Sequence, residues 1–262
     1  MLYNKSAGVW NLAKRAYVKD GGVWIEPSKV WVKNAGVWQL AHMVIKITAS
    51  AQNINIAALA GNPTSKVMCV VDIAPGVIIG SSSTSAYALT VGNFVAGSMV
   101  YLNIAAGAYV VGHGGNGGPG GGGSGSNGLP GGPAIDTTHS LIIKNLGTIG
   151  GGGGGGGGEP VWPDHIYNVY GGSGGAGNTP GVGGIGYGGG GSGITGTLTA
   201  GGARTGSHCL NGKGGNLGVA GSNSGPCDAQ PGGVGGAAGK AINLNGNTIT
   251  YVTAGSILGV VS

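Results

Sequence analysis

Between residues 43 and 111 apolar and polar positions alternate in short runs, as in Met43-Val44-Ile45-Lys46-Ile47-Thr48 and Ser98-Met99-Val100-Tyr101-Leu102-Asn103-Ile104. A period of two in β-branched residues, interrupted by Gly61-Asn62-Pro63, Pro75-Gly76 and Gly92-Asn93, predicts strands joined by turns, without helical periodicity. The first 42 residues carry a tighter pattern, a repeat of fourteen: Val9-Trp10 runs to Gly22, Val23-Trp24 to Gly36, and Val37-Trp38 onward to His42. At the same spacing Tyr17-Val18-Lys19-Asp20 matches Trp31-Val32-Lys33-Asn34. Each unit reads as a strand, a turn on Asp20-Gly21-Gly22 or Asn34-Ala35-Gly36, and a strand opening on Val-Trp, which is the pattern of a β-hairpin. Alternation puts the repeated indoles on equivalent faces. Trp10, Trp24, Trp31 and Trp38 either fill the core of this segment or meet something outside it, and about forty residues are too few to bury four indoles.

From Gly112 the period changes to three. Triplets of the form Gly-Gly-X run as Gly114-Gly115-Asn116, Gly117-Gly118-Pro119, Gly171-Gly172-Ser173 and Gly232-Gly233-Val234, and Gly150 to Gly158 is unbroken glycine. Collagen needs a strict period and abundant proline, and neither is present. Polyproline II geometry also has three residues per turn, with no internal hydrogen bonds, so every backbone N–H and C=O points outward and needs a partner if buried. Glycine removes the side chains that hold such helices apart. The pattern therefore predicts a bundle in which polyglycine helices hydrogen-bond laterally, with the all-glycine run inside. Short glycine-poor segments interrupt the runs: residues 159–170, 194–200, 207–213 and 222–230. They are the turns where side chains can be displayed. After Ala241 strand-like alternation returns. The fold class expected is an all-β N-terminal part with β-hairpin repeats (residues 1–111, the repeats in 1–42), followed by a glycine-rich bundle or sandwich of polyglycine II helices with closing strands (112–262), and essentially no α-helix.

Composition changes this picture in one respect. Of 65 glycines, 52 fall between Gly112 and Gly239, a density that usually means a flexible linker. Only 7% of residues are charged and mean hydropathy is positive (+0.21), whereas disordered segments are polar and charged, so an ordered object is expected. The formal charge of +5 is concentrated in residues 1–66, where eight Lys or Arg face Asp20 and Glu26. These cations stand mostly singly among apolar residues, which does not suit a nucleic-acid groove. No signal-peptide pattern opens the chain and no run of eighteen apolar residues occurs, so synthesis in a cytoplasm without membrane insertion is expected.

Chemistry is sparse. Outside the hairpins only Glu159 and Asp164 are close in sequence, and a loop after a glycine run is a poor cradle for the paired carboxylates of a glycosidase. The histidines lack metal-ligand spacing, and Gly-x-Gly-x-x-Gly means nothing at this glycine content. No catalytic residue, metal or cofactor is expected. Cys209 and Cys227 either bridge two neighbouring loops in an oxidising medium or, with Cys69, remain inert thiols.

The repeats Ala7-Gly8-Val9-Trp10, Gly21-Gly22-Val23-Trp24 and Ala35-Gly36-Val37-Trp38, combined with the glycine-rich stretch 112–239, resemble the distal tail-fibre adhesins of T-even-type bacteriophages over essentially the whole chain. The resemblance implies a receptor-recognising protein at the tip of the virion's long tail fibre. It would attach by its N-terminal part, through Trp10, Trp24, Trp31 and Trp38, to the trimeric fibre-tip protein, one copy per trimer. Its loops would contact a host outer-membrane porin or lipopolysaccharide; the expected contacts are Trp162, Asp164, His165, Tyr167, Tyr170, Thr197, His208, Asn211, Asn223 and Asp228. The competing readings are a structural or ice-binding glycine-rich protein and a fibre-assembly chaperone.

Overall fold

The computed structural model describes the chain except residues 1–2, 7, 14, 122–123, 162–167, 205–208 and 228–229 and the side chains of 3–6, 9 and 10. It is almost entirely β. Three antiparallel pairs open it: β1 (Tyr3–Ser6) with β2 (Val9–Leu12), β3 (Val18–Asp20) with β4 (Val23–Ile25), and β5 (Lys29–Asn34) with β6 (Val37–Ile47). The fourteen-residue repeat survives as a register, since Lys5 pairs with Trp10, Lys19 with Trp24 and Lys33 with Trp38. Gly21-Gly22 and Ala35-Gly36 take positive φ throughout, as the two-residue turns between twisted strands require.

From β6 onward the pairing becomes parallel and the chain winds into a solenoid with three faces. The first coil is β6, β7 (Ala51–Gln52), β8 (Ile54–Asn55) and the single helical turn α1 (Ile56–Leu59). The second is β9 (Met68–Ile73), β10 (Ile78–Gly80) and β11 (Leu89–Thr90), and the third is β12 (Met99–Ile104), β13 (Tyr109–Val111) and β14 (Ile135–Asp136). The fourth is β15 (Leu141–Asn145), β16 (Thr148–Gly150) and β17 (Ile242–Asn243); β18 (Ile249–Thr253) and β19 (Ser256–Leu258) begin a fifth, completed by a bridge from Val261 to Ile242. Parallel pairing runs β6-β9-β12-β15-β18 on one face, β7-β10-β13-β16-β19 on the second and β8-β11-β14-β17 on the third.

Period-two alternation decides what lies inside. Met43, Cys69, Val100, Leu141 and Ile249 stack in register, as do Ile54, Leu89, Ile135 and Ile242 on the third face and Ile79, Val110, Ile149 and Ile257 on the second. Each fully buried aliphatic side chain contributes ~1.5–3 kcal/mol from area removed from water. The strands expected at 43–111 are found; the strands at 135–150, which the reading of 112–262 as glycine runs omitted, and the closing strands expected after Ala241 pair with them as later coils of the same solenoid.

The glycine-rich chain leaves this solenoid at one corner, between the second and third faces. There the coils carry successively longer excursions: residue 53, residues 81–88, 112–134 and 151–241. The strands lead straight into the glycine runs, because the β13–β16 ladder (Val110 with Ile149, Val111 with Gly150) continues as Gly112 N to Gly150 O and Gly115 N to Gly153 O. Among the described residues ten runs bond laterally. The run 150–159 has six neighbours, and every third residue addresses the same one. The amides of Gly152, Gly155 and Gly158 donate to run 125–132, those of Gly153, Gly156 and Glu159 to run 170–177, and those of Gly154 and Gly157 to run 219–225. Its carbonyls accept from runs 112–120, 210–216 and 231–239. Run 170–177 is a second hub, bonded to runs 112–120, 150–159, 180–187, 190–197, 201–204 and 210–216. The bonds define three layers: 125–132, 112–120 and 180–187; then 231–239, 150–159, 170–177 and 190–197; then 219–225, 210–216 and 201–204.

This packing accounts for the glycine pattern residue by residue. A Cβ on any glycine from Gly151 to Gly158 would overlap a carbonyl of a neighbouring run, so the central run tolerates no side chain. In run 112–120 two residues of each triplet are buried and the third, Asn116 or Pro119, is exposed, and in run 180–187 the exposed positions Val182 and Ile185 are likewise three apart. Several exposed asparagines complete the lattice: Oδ1 of Asn116 accepts from Val182 N, Asn127 from Val234 N, Asn223 from Gly235 N and Asn216 from Gly201 N. Gly155→Ala should therefore cost at least ~3 kcal/mol by overpacking. Asn116→Ala, which removes one acceptor at the surface, should cost about 1 kcal/mol. Denaturant melts of the isolated protein measure both.

Candidate functional site

The runs alternate in direction, so their connections alternate between two ends. Residues 178–179, 198–200 and 217–218 turn at the solenoid side, where Val111, Ala176 and Leu217 form a small core with Ile78, Tyr109 and Leu198. At the far end lie the described residues of five connectors: Gly121 and Ser124; 160–161 and 168–169; 188–189; Cys209; and 226–227 with Gln230.

The far end is knitted together. The neck of the 160–169 connector is closed by Glu159 N to Tyr170 O (3.1 Å) and by Tyr170 N to Oε2 of the buried Glu159 (3.0 Å). Val169 and Tyr187 exchange two backbone hydrogen bonds, joining that connector to 188–189. Arg204 places its guanidinium 4.3 Å from the centroid of the Tyr170 ring and donates from Nη1 to Ser192 O at 2.7 Å. Cys209 and Cys227 form a disulfide between two further connectors, resolving the alternative the sequence left open. Tyr187 and Leu210 are exposed there, the latter at 79%.

Against the expected contacts, Tyr170 is at this end, half-buried under Arg204. Trp162, Asp164, His165, Tyr167, His208 and Asp228 lie outside the described residues. Three others are placed differently. Thr197 sits at the solenoid end, bonded to Gly177 and capping the turn through Ala200 N to Oγ1 (3.0 Å). Asn211 is 6% exposed and turns its carboxamide inward to Gly171 O. Asn223 is exposed but its Oδ1 is engaged by Gly235 N. The glycine-poor segments were each read as display loops; a period-three lattice also uses such residues as internal turns and hydrogen-bond partners. Arg204 and Tyr187 are not among the expected contacts, although each is a charged or aromatic side chain in a stretch otherwise of glycine, small and aliphatic residues.

A second surface lies on the N-terminal pairs. Trp24, Trp31 and Trp38 are 67%, 50% and 63% exposed, so these indoles do not fill a core of their own segment; nothing is described of the Trp10 side chain. Trp31 and Trp38 line a groove of about 370 Å³ with Lys29, Val37 and the Gly61-Asn62-Pro63 turn. The segment before β3 is clamped to the first solenoid face. Arg15 bonds both oxygens of Asp72 through Nη2 at 2.8 Å and Glu26 through Nη1, while Asn103 donates to Asp72 and Lys46 pairs with Glu26 at 3.3 Å. Burial alone would weaken proton binding by Arg15, but its bonds to Asp72 and Glu26 and their charges outweigh that and hold the guanidinium above its usual value.

The described residues place unburied indoles on the N-terminal pairs and, at the far end of the glycine lattice, Tyr170, Tyr187, Arg204 and Leu210. Residues 42–262 match the phage tail fibre adhesin Gp38 family, and the chain belongs to it. It is thus a receptor-binding adhesin of a bacteriophage tail fibre and a component of the virion. The crystal structure of the gp37–gp38 adhesin tip complex of the bacteriophage S16 long tail fiber is similar, with a TM-score of 0.63 and 26% identity over 86% of this chain and 84% of that one. No curated protein matches the sequence. Among the described residues no helix is long and apolar enough to cross a membrane.

Arg15→Met should loosen the N-terminal pairs from the solenoid. With Arg15 a third exposed, screening limits the loss to about 1 kcal/mol. Limited trypsin digestion should cut at Lys19, Lys29 or Lys33 roughly fivefold faster while the rest of the chain stays resistant.

Proposed function

We propose that this adhesin caps a trimeric long-tail-fibre tip protein, one copy per trimer, and binds an outer-membrane porin or lipopolysaccharide of the host with the far-end connectors. The observation carrying this reading is the separation of the two surfaces: unburied indoles on the N-terminal pairs, and Tyr170, Tyr187, Arg204 and Leu210 at the far end of a lattice whose exposed apolar side chains elsewhere are aliphatic, such as Val182, Ile185 and Val234. Three equivalent Lys–Trp pairs, at 5/10, 19/24 and 33/38, suit a partner made of three identical chains. The similar solved structure is itself a complex of two fibre proteins. Indoles are favoured anchors in such contacts.

The glycine runs in this reading are polyglycine II helices. The support is their bonding: a neighbour addressed by every third residue requires three residues per turn. Recognition falls to Tyr170, Tyr187, Arg204 and Leu210 together with Trp162, Asp164, His165, Tyr167, His208 and Asp228. Tyrosines offer broad, rigid contact area at small entropic cost. The function is binding without catalysis; among the described residues, Glu159 is the carboxylate next to Tyr170, and it is buried under the neck of a connector. The protein is made in the host cytoplasm and acts on the finished particle.

The test uses two phage variants. Trp24→Ala with Trp38→Ala should yield particles lacking the adhesin. Tyr170→Ala with Tyr187→Ala should keep it on the fibre but adsorb at least about tenfold more slowly, a loss of 1.4 kcal/mol or more. Normal occupancy in the first variant, or normal adsorption in the second, contradicts the assignment.

A further inference from the structure

The three cysteines occupy two different environments. Cys69 is fully buried on the first solenoid face, and burial pushes its thiol up to about 12, so it stays protonated and cannot exchange with the others. Cys209 and Cys227 are joined at the far end, with Cα atoms 5.7 Å apart and both residues partly exposed.

What this cross-link holds can be read from the lattice. Run 210–216 and run 219–225 are neighbours already closed at the solenoid side by residues 217–218, and they bond through Ser222 N to Lys213 O and Lys213 N to Ser222 Oγ. Gly212 and Gly215 tie the first run to the central run, and Gly154 and Gly157 tie the second. The lattice is complete without the disulfide, which lies past its last rungs, beside a single bond from Gly225 N to Leu210 O. The two connectors it joins carry the exposed Leu210 and, next to the cysteines in sequence, His208 and Asp228. The 160–169 and 188–189 connectors are tied by the Val169–Tyr187 bridge, Arg204 at the entry to 205–209 stacks on Tyr170, and Cys227 bridges to Gln230 within 226–230. The disulfide is the covalent member of this set.

We propose that the Cys209–Cys227 disulfide positions the two connectors for receptor recognition, closing only after the particle leaves the reducing cytoplasm, so that full adsorption requires the oxidised state. The inference rests on the far end being the receptor-binding surface. In the closing step one cysteine thiolate attacks a low-molecular-weight disulfide of the medium, and the second then displaces the mixed disulfide. One protein S–S bond forms, the external S–S bond breaks, and the two protons leave with the two small thiols released. Fixing the connectors before contact removes ordering cost from binding.

The experiment uses intact phage. Reduction with dithiothreitol, followed by its removal, should lower the adsorption rate roughly tenfold with adhesin occupancy of the fibre unchanged, and oxidised glutathione should restore it. Phage carrying Cys209→Ser and Cys227→Ser should adsorb at the reduced rate and ignore both reagents. Unchanged adsorption after reduction, a double variant that adsorbs like the parent, or loss of the adhesin from reduced particles overturns the proposal. The Tyr170→Ala, Tyr187→Ala phage separates the two readings. If it adsorbs poorly while the cysteine variant does not, only this inference fails; if it adsorbs normally, the far-end reading fails first.

Discussion

The glycine-rich half of this molecule depends on backbone groups of one glycine run reaching those of the next with no Cβ between them. Ordering a residue costs ~1–2 kcal/mol of backbone entropy, and glycine loses the most. A hydrogen bond returns about 1 kcal/mol net. In the run 150–159 the N–H and C=O groups are committed to six neighbours, so roughly one bond per residue comes close to offsetting the entropy, and close packing supplies the rest. That balance exists only for a run surrounded on all sides, which is why the longest pure-glycine stretch lies at the centre.

Such a lattice has little in its own sequence to set register, since one glycine resembles the next. The solenoid supplies it. Val111 and Gly150 are neighbours in a parallel ladder before Gly112 and Gly153 become lattice members, so the first two runs begin already aligned. The stacked aliphatic residues beneath, such as Ile79, Val110 and Ile149, anchor that ladder in a conventional core. Substituents on the outer runs then finish the edges, the asparagines by accepting amides that no further run would meet.

The sequence made much of this legible. Alternation in Met43 to Thr48 and Met99 to Ile104 announces strands, the Val-Trp spacing announces equivalent pairs, and triplets announce a three-fold bonding pattern. The solenoid itself was hidden, because its coils have no common length. Met43, Cys69, Val100, Leu141 and Ile249 are stacked, yet the intervals between them are 26, 31, 41 and 108 residues by subtraction of their numbers. Excursions at one corner erase the period on which repeat detection depends. The site was only partly legible for a related reason. Thr197 and Asn211 look like loop residues in a one-dimensional text, and whether a break in glycine falls at the far end, the near end or inside depends on which neighbours surround it. Arg204 belongs to the far end through Tyr170, thirty-four residues away by number, a pairing that only the folding back of the runs creates.

Amide hydrogen exchange in protein labelled at glycine nitrogen tests the central claim most directly. If the run 150–159 is locked by lateral bonds, the amides of Gly152 to Gly158 will exchange only on global unfolding, as slowly as those of Leu102 and Ile143 in the solenoid core measured under uniform labelling. Exchange of the Gly152 to Gly158 amides at the rate of an unstructured chain, with the solenoid still protected, would mean that the glycine runs form no lattice.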